Sequence, residues 1–257
     1  MKARNSNFSL VLLVLFFAGC STEYNLATRQ QESLLYGTDK EVKIGDSVAR
    51  QVESQYKVVD DVDVNDRVQL ILGKIVAVCD RRDVVYFIKV LDDESMNAVS
   101  LPGGYIYIFK GLIDKIDNDD ELAGVIAHEV GHITAKHAMK KLQAAYGALL
   151  LQVAAASTGS GKALGATNLA LASIFTEYSQ QDEFQADQLG VKYMKLAGFN
   201  PQGMVGLLKK LREEQEKAPI RQFSYWRTHP YLVKRVAVVN QEITGKLEFK
   251  DYLNLAE

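Results

Sequence analysis

"VIAHEVGHITAKHA", Val125 to Ala138, holds three of the four histidines in this chain, and two of them, His128 and His132, bracket a glutamate. A helix brings residues i and i+4 to one face, a turn apart, so both imidazoles can point at a single ion. Glu129 lies one residue round from the first, where its carboxylate can reach a water bound to that ion. Imidazole suits zinc, and a catalytic zinc keeps three protein ligands and one open position. The plainer alternative is a pair of surface histidines around an unrelated glutamate, but the flanking residues are apolar, as in a buried helix.

The third ligand must come from elsewhere. A metzincin would carry a histidine six residues after His132, where this chain has Ala138, and a glycine where it has Ala135. His137 falls one residue short, and packing or hydrogen bonding at the helix end suits it better than ligation. Further on, "EFQADQLG" spaces Glu183 and Asp187 i, i+4 on one face. Glu183 could complete the zinc site, and Asp187 could accept a hydrogen bond from the free ring nitrogen of a ligand histidine. By spacing alone a solvated acidic helix face serves equally well.

Around this segment the patterning is mostly helical. "DKEVKIGDSVARQVESQY" puts Val42, Gly45, Val48, Ala49 and Val52 on one face, and "NDRVQLILGKIVAVCD" repeats the spacing behind an Asn65 cap. Cys79, in that apolar segment, reads as a small buried hydrophobe. "VVYFIKVL" (84–91) and "GYIYIFKG" read as strands, with a turn at Pro102-Gly103-Gly104 between them. Asn118 followed by Glu121 is a capping-box pattern that opens the histidine helix, expected to run from Asp119 through Leu142. Residues 144–175 hold two small-residue apolar stretches, each too short to span a bilayer and better read as a helical hairpin. Helices are expected from Ala172 to Leu196 and from Asn200-Pro201 to Lys217, then an aromatic-rich loop and a short terminal helix over "YLVKRVAVVNQEI".

At 257 residues and 47% hydrophobic content the chain can bury a substantial core. A net charge of −2 with no basic stripe speaks against nucleic acid. At the N-terminus, Lys2 and Arg4 precede the apolar run Phe8 to Ala18, a secretory signal layout. "FAGC" resembles a bacterial lipobox, with Phe17 in place of the usual leucine and Cys20 as the residue that carries the lipid. Ser21 after it implies sorting to the outer membrane, where several acyl chains give a stable anchor. The expected division is a signal peptide over 1–19, a lipidated tether over 20–38, and one domain over 39–257.

"HEVGH" followed by "EFQAD" resembles the gluzincin metallopeptidases of the HtpX and CaaX prenyl protease family. The likeness runs from "NAVSLPGGYIYI" (Asn97–Ile108) to "THPYLVKR" (Thr228–Arg235). It implies an α+β, mainly helical zincin-like domain with a small β-sheet beside the histidine helix. It implies one zinc ion per chain on His128, His132 and Glu183, with Glu129 as general base and Asp187 as the supporting carboxylate. Gln180 and Gln185 depart from residues many relatives carry, arginine and glutamate. The N-terminal pattern is closest in type to outer-membrane lipoprotein members facing the periplasm.

Zinc would polarise the scissile carbonyl while Glu129 moves the proton to the leaving amine. His229 could stabilise the developing oxyanion or, in a resting form, fill the open zinc position. "MNAVS" could offer a free strand edge to an extended peptide, with Asn97 and Ala98 placed there by the resemblance. The expected function is zinc-dependent cleavage of misfolded or unassembled envelope proteins, with outer-membrane assembly machinery as a partner. A periplasmic chaperone with gated or incidental cleavage is the alternative; intact Glu129 speaks against a purely binding protein, and the strand edge against a hydrolase of non-protein substrates.

Overall fold

The computed structural model describes residues 21–155, 176–218 and 224–246, so the signal segment, Cys20 and the second apolar stretch of 144–175 lie outside the described residues. The elements are a hairpin of β1 (Ser21–Asn25) and β2 (Gln30–Leu34), then helices α1 (Thr38–Gln55) and α2 (Val62–Val76). Strands β3 (Phe87–Leu91), β4 (Ala98–Ser100) and β5 (Tyr105–Phe109) follow, then the short α3 (Lys110–Ile113). The rest is helical: α4 (Asp119–Thr134), α5 (His137–Ala155), α6 (Gln180–Leu196), α7 (Gln202–Lys217), α8 (Tyr225–Thr228) and α9 (Leu232–Thr244). Mainly helical with a small sheet is the architecture expected. Among the described residues no helix is long and apolar enough to cross a membrane.

The centre of the molecule is α4. Every residue from Glu121 to Thr134 is buried, because α2, α6, α7 and strand β4 all pack against it. Its start is half of the expected capping box: Asn118 Oδ1 accepts from the Glu121 amide at 3.0 Å. Glu121 does not return the bond to Asn118; its carboxylate accepts from the Asp117 amide at 2.9 Å and pairs with Lys210 at 2.7 Å.

Its end differs from the sequence reading. The helix stops at Thr134, Ala135 caps it, Lys136 takes a left-handed conformation (φ 56°), and α5 begins at His137. Nothing local breaks the helix, since alanine and lysine are both good helix formers. Tertiary partners do so by taking the carbonyls that a helix end leaves open. Arg81 Nη1 donates to Ile133 O at 2.9 Å, and Asn25 Nδ2 donates to Thr134 O at 3.0 Å.

Asn25 belongs to the stretch read as a tether, and that reading is corrected. Residues 21–34 form an antiparallel hairpin, Ser21 opposite Leu34 through Asn25 opposite Gln30. Leu34 is buried, Glu32 pairs with Lys140 at 2.7 Å, and the Leu35 amide donates to Gln143 Oε1 at 2.9 Å. The polar composition of Gln30, Gln31 and Glu32 hides a strand whose stability comes from contacts with α5.

In the three-stranded sheet the order is β3-β5-β4, parallel between β3 and β5 and antiparallel between β5 and β4. The sequence reading had β3 three residues longer and offered "MNAVS" only as a strand edge, of which Ala98–Ser100 form β4. Gly103 and Gly104, at φ 77° and 103°, make the tight return from β4 to β5. The Gly103 amide donates to Glu41, which is buried on α1 in a bidentate pair with Arg81 at 2.8–2.9 Å. α2 starts at Val62 with Asp61 as its cap, not Asn65, whose side chain donates instead to Val59 O. Cys79 is buried, as expected of a small hydrophobe.

Candidate metal centre

α4 and α6 approach closely because small residues meet at their crossing. A Cβ on Gly131 would lie 2.7 Å from the Ala186 carbonyl oxygen. That contact sets the i, i+4 pair of α4 against the i, i+4 pair of α6. The α6 helix begins at Gln180 behind a full capping box of Ser179 and Asp182. Residues 172–175 of its expected start lie outside the described residues.

One ligand atom from each of His128, His132, Glu183 and His229 lies within 4.8 Å of the others, and all four side chains are buried. His132 Nε2 is 3.0 Å from His128 Nε2 and 3.4 Å from Glu183 Oε1. His229 Nδ1 stands 3.1 Å from Glu183 Oε1 and 3.4 Å from His128 Nε2. Two imidazoles with nitrogens facing each other and a carboxylate between them form a donor set that suits zinc. Glu129, beside it, is fully buried, and neither carboxylate oxygen has a hydrogen-bond partner among the described residues. His229 Nε2 stands 3.6 Å from Glu129 Oε1, beyond hydrogen-bond reach; a buried carboxylate without a hydrogen bond is costly unless a cation or water meets it, so the residues present fit a metal and its water.

Behind the cluster stands a charged brace. His128 Nδ1 meets Asp187 Oδ1 at 2.9 Å. Arg235, from the first turn of α9, donates two bonds to Asp187, both at 2.8 Å, and pairs with Glu183 Oε2 at 2.7 Å. Burial opposes ionisation of Glu183, but the Arg235 charge and the histidine contacts hold its carboxyl well below the usual range. Burial and Arg235 likewise resist a charge on His128, yet the Asp187 hydrogen bond prevails and pushes it up to about 9. For His132, burial, aided by the neighbouring His128 and His137, outweighs the Glu183 contact and holds the ring well below the ordinary histidine value, leaving it neutral. That ring stacks on Tyr178 at 4.0 Å. Its Nδ1 faces His137 Nδ1 at 2.8 Å, and His137 Nε2 faces Gln185 Oε1 at 2.9 Å.

The structure thus brings together all of His128, Glu129, His132, Glu183, Asp187 and His229. It also sets Asn97 and Ala98 beside them. His229 Nε2 lies 3.3 Å from the Ala98 carbonyl, and Asn97 Oδ1 accepts from the Ala98 amide at 2.9 Å and from Thr228 Oγ1 at 3.2 Å. Asn97 and Leu101 bond to β5, so Ala98 and Ser100 turn their backbone groups to the other side of β4, the edge that carries no further strand among the described residues and that is buried, with Asn97 on the Ala98 amide and His229 on its carbonyl. Cys20 lies outside the described residues. Arg235 is the site residue that sequence reasoning passed over. Its signal was faint: one basic residue in an amphipathic helix, which usually faces water.

A family model for Peptidase family M48 matches residues 63–243. The chain belongs to peptidase family M48. Among M48 relatives, it is 31% identical to metalloprotease LoiP of Escherichia coli over 163 residues, 61% of this chain and 62% of the relative. It is 25% identical to the beta-barrel assembly-enhancing protease of Escherichia coli over 209 residues, 77% of this chain. It is 28% identical to the mitochondrial metalloendopeptidase OMA1 of Schizosaccharomyces pombe over 176 residues, 68% of this chain. The chain spans 42% of the length of the assembly-enhancing protease and 51% of that of OMA1.

Proposed function

We propose that this M48 protein is a zinc-dependent endopeptidase of the bacterial cell envelope that cleaves misfolded or unassembled envelope proteins. The observation that carries the reading is the buried His128–His132–Glu183–His229 cluster with the Glu129 carboxylate at its side, which has no hydrogen bond and meets only His229 Nε2 at 3.6 Å. His128, His132 and Glu183 hold one zinc ion. When bound, zinc supplies Lewis acidity to the scissile carbonyl and makes water a nucleophile near neutral pH. Glu129 takes the proton from the attacking water and passes it to the leaving amine. Asp187 and Arg235 keep the His128 ring turned towards the cluster. An extended peptide pairs with the outer edge of β4 at Ala98 and Ser100 once the contacts that cover it, Asn97 on the Ala98 amide and His229 on its carbonyl, give way; such recognition is tolerant of side chains and suits unfolded substrates.

His229 has two roles open to it on the same geometry: donor to the developing oxyanion, and fourth ligand in a resting state. Its contact with Glu183 at 3.1 Å favours a resting, gated form, which is what supports the second reading, a periplasmic chaperone or assembly factor with cleavage held in check. The name of the assembly-enhancing relative supports outer-membrane assembly machinery as a partner. An N-terminal lipid on Cys20 would place the protein at the outer membrane facing the periplasm. The reading is tested by incubating the zinc-loaded protein with one polypeptide in unfolded and in folded form, with and without chelator. Cleavage of the unfolded form alone, lost with chelator, supports it; zinc-bound protein that protects the unfolded form without cutting it supports the second reading.

A further inference from the structure

The break between α4 and α5 places a fourth buried side chain behind the centre. In an uninterrupted helix His137, five residues after His132, would stand roughly 140° away around the axis and could not reach it. Lys136 instead adopts φ 56°, a conformation that is costly for a residue with a Cβ. The chain thereby turns back, and His137, buried, meets the rear of His132 with the two Nδ1 atoms 2.8 Å apart.

We propose that His137 is a positioning residue that fixes the tautomer and ring orientation of His132, with Gln185 as the terminus of the chain of hydrogen bonds. The inference rests on the metal-centre reading. His132 Nε2 is the atom turned into the cluster, 3.0 Å from His128 Nε2. A neutral imidazole that offers Nε2 to a metal carries its proton on Nδ1. His137 Nδ1 must therefore accept, which puts the His137 proton on Nε2. There it finds Gln185 Oε1 at 2.9 Å, an atom that can only accept, and Asp182 Oδ1 at 3.4 Å. Each donor in the series has its acceptor, and only one arrangement of protons satisfies all of them. The Tyr178 ring covers the face of His132 while His137 holds its edge. The two ligand histidines are consequently backed by different chemistry, His128 by a carboxylate braced by arginine and His132 by a neutral imidazole and amide.

The test uses the full-length chain and zinc itself, with affinity read by competition against a chelator and ring protons read by nitrogen-15 NMR of the histidines. His137→Leu should weaken zinc binding about 10- to 100-fold, the usual effect of removing a partner behind a ligand. His137→Asn, whose Oδ1 can take the place of Nδ1, should recover most of the loss. Gln185→Leu should show a smaller loss, and the zinc-loaded parent should carry protons on His132 Nδ1 and His137 Nε2. Equal losses in the leucine and asparagine variants, unchanged affinity in both, or a proton on His137 Nδ1 would overturn the proposal. If the leucine variant does not fold, the parent's proton positions and the asparagine and Gln185 variants decide. Failure of the parent to bind zinc overturns the metal-centre reading along with it.

Discussion

The chemistry of this site depends on how few charges are left unbalanced in a fully buried space. Glu183 and Asp187 are two carboxylates on one α6 face, and Arg235 pairs with both. Arg235→Met leaves two buried anions facing each other, and breaking such a pair costs about 3–5 kcal/mol. Urea unfolding should show a midpoint far below that of the parent; an unshifted midpoint would mean the brace carries no load. His128 makes the site sensitive to pH. Its metal-free value, pushed up to about 9 from 6.5 against burial and Arg235, means the protonated ring stabilises the metal-free fold fully below 6.5, and this contribution is lost as pH rises through 9. Zinc competes with that proton, so affinity should climb roughly tenfold per pH unit up to about 9 and binding should release a proton. Calorimetry in two buffers of different ionisation enthalpy checks this, and identical heats in both would count against it. His229→Ala should retain zinc on the other three ligands and lose turnover; loss of zinc on gel filtration would make His229 a ligand in its own right.

At the scale of elements, the crossing of α4 and α6 sets the distance between the two histidines of α4 and the two carboxylates of α6. Gly131→Ala pushes a methyl group into the Ala186 carbonyl, so the helices must part, at about 1–3 kcal/mol. A lowered melting temperature together with weaker zinc binding is expected, and a fall in stability with zinc affinity untouched would separate the crossing from the site. The helical spacing of His128 and His132, and of Glu183 and Asp187, was legible because 3.6-residue periodicity is written in adjacent positions. What was not legible depends on partners distant in sequence. Ala135 and Lys136 carry no breaking signal, and the helix ends there because Arg81 and Asn25 take its last carbonyls. β4 is three residues long, too short for alternation to bound it, so the sequence marked only an edge at "MNAVS". The β1–β2 hairpin is polar along much of its length and owes its place to Leu34, Glu32 and α5.

Across the whole molecule, the hairpin, Arg81 and Glu41 secure one end of α4, while Asn118, Asp117 and Lys210 secure the other. The buried helix between them is thereby held rigid, as a site built on packed elements needs. Membership of peptidase family M48 agrees with that frame, and the buried outer edge of β4 lies alongside it, met by His229 at the Ala98 carbonyl. The most direct measurement is degradation of an unfolded protein by the full-length chain, zinc-loaded, beside its Glu129→Gln variant with zinc content determined for both. The account predicts equal zinc in the two proteins and cleavage only in the parent. Cleavage that survives in the variant at full zinc occupancy would contradict it, because the proton would then be moving through some group other than Glu129.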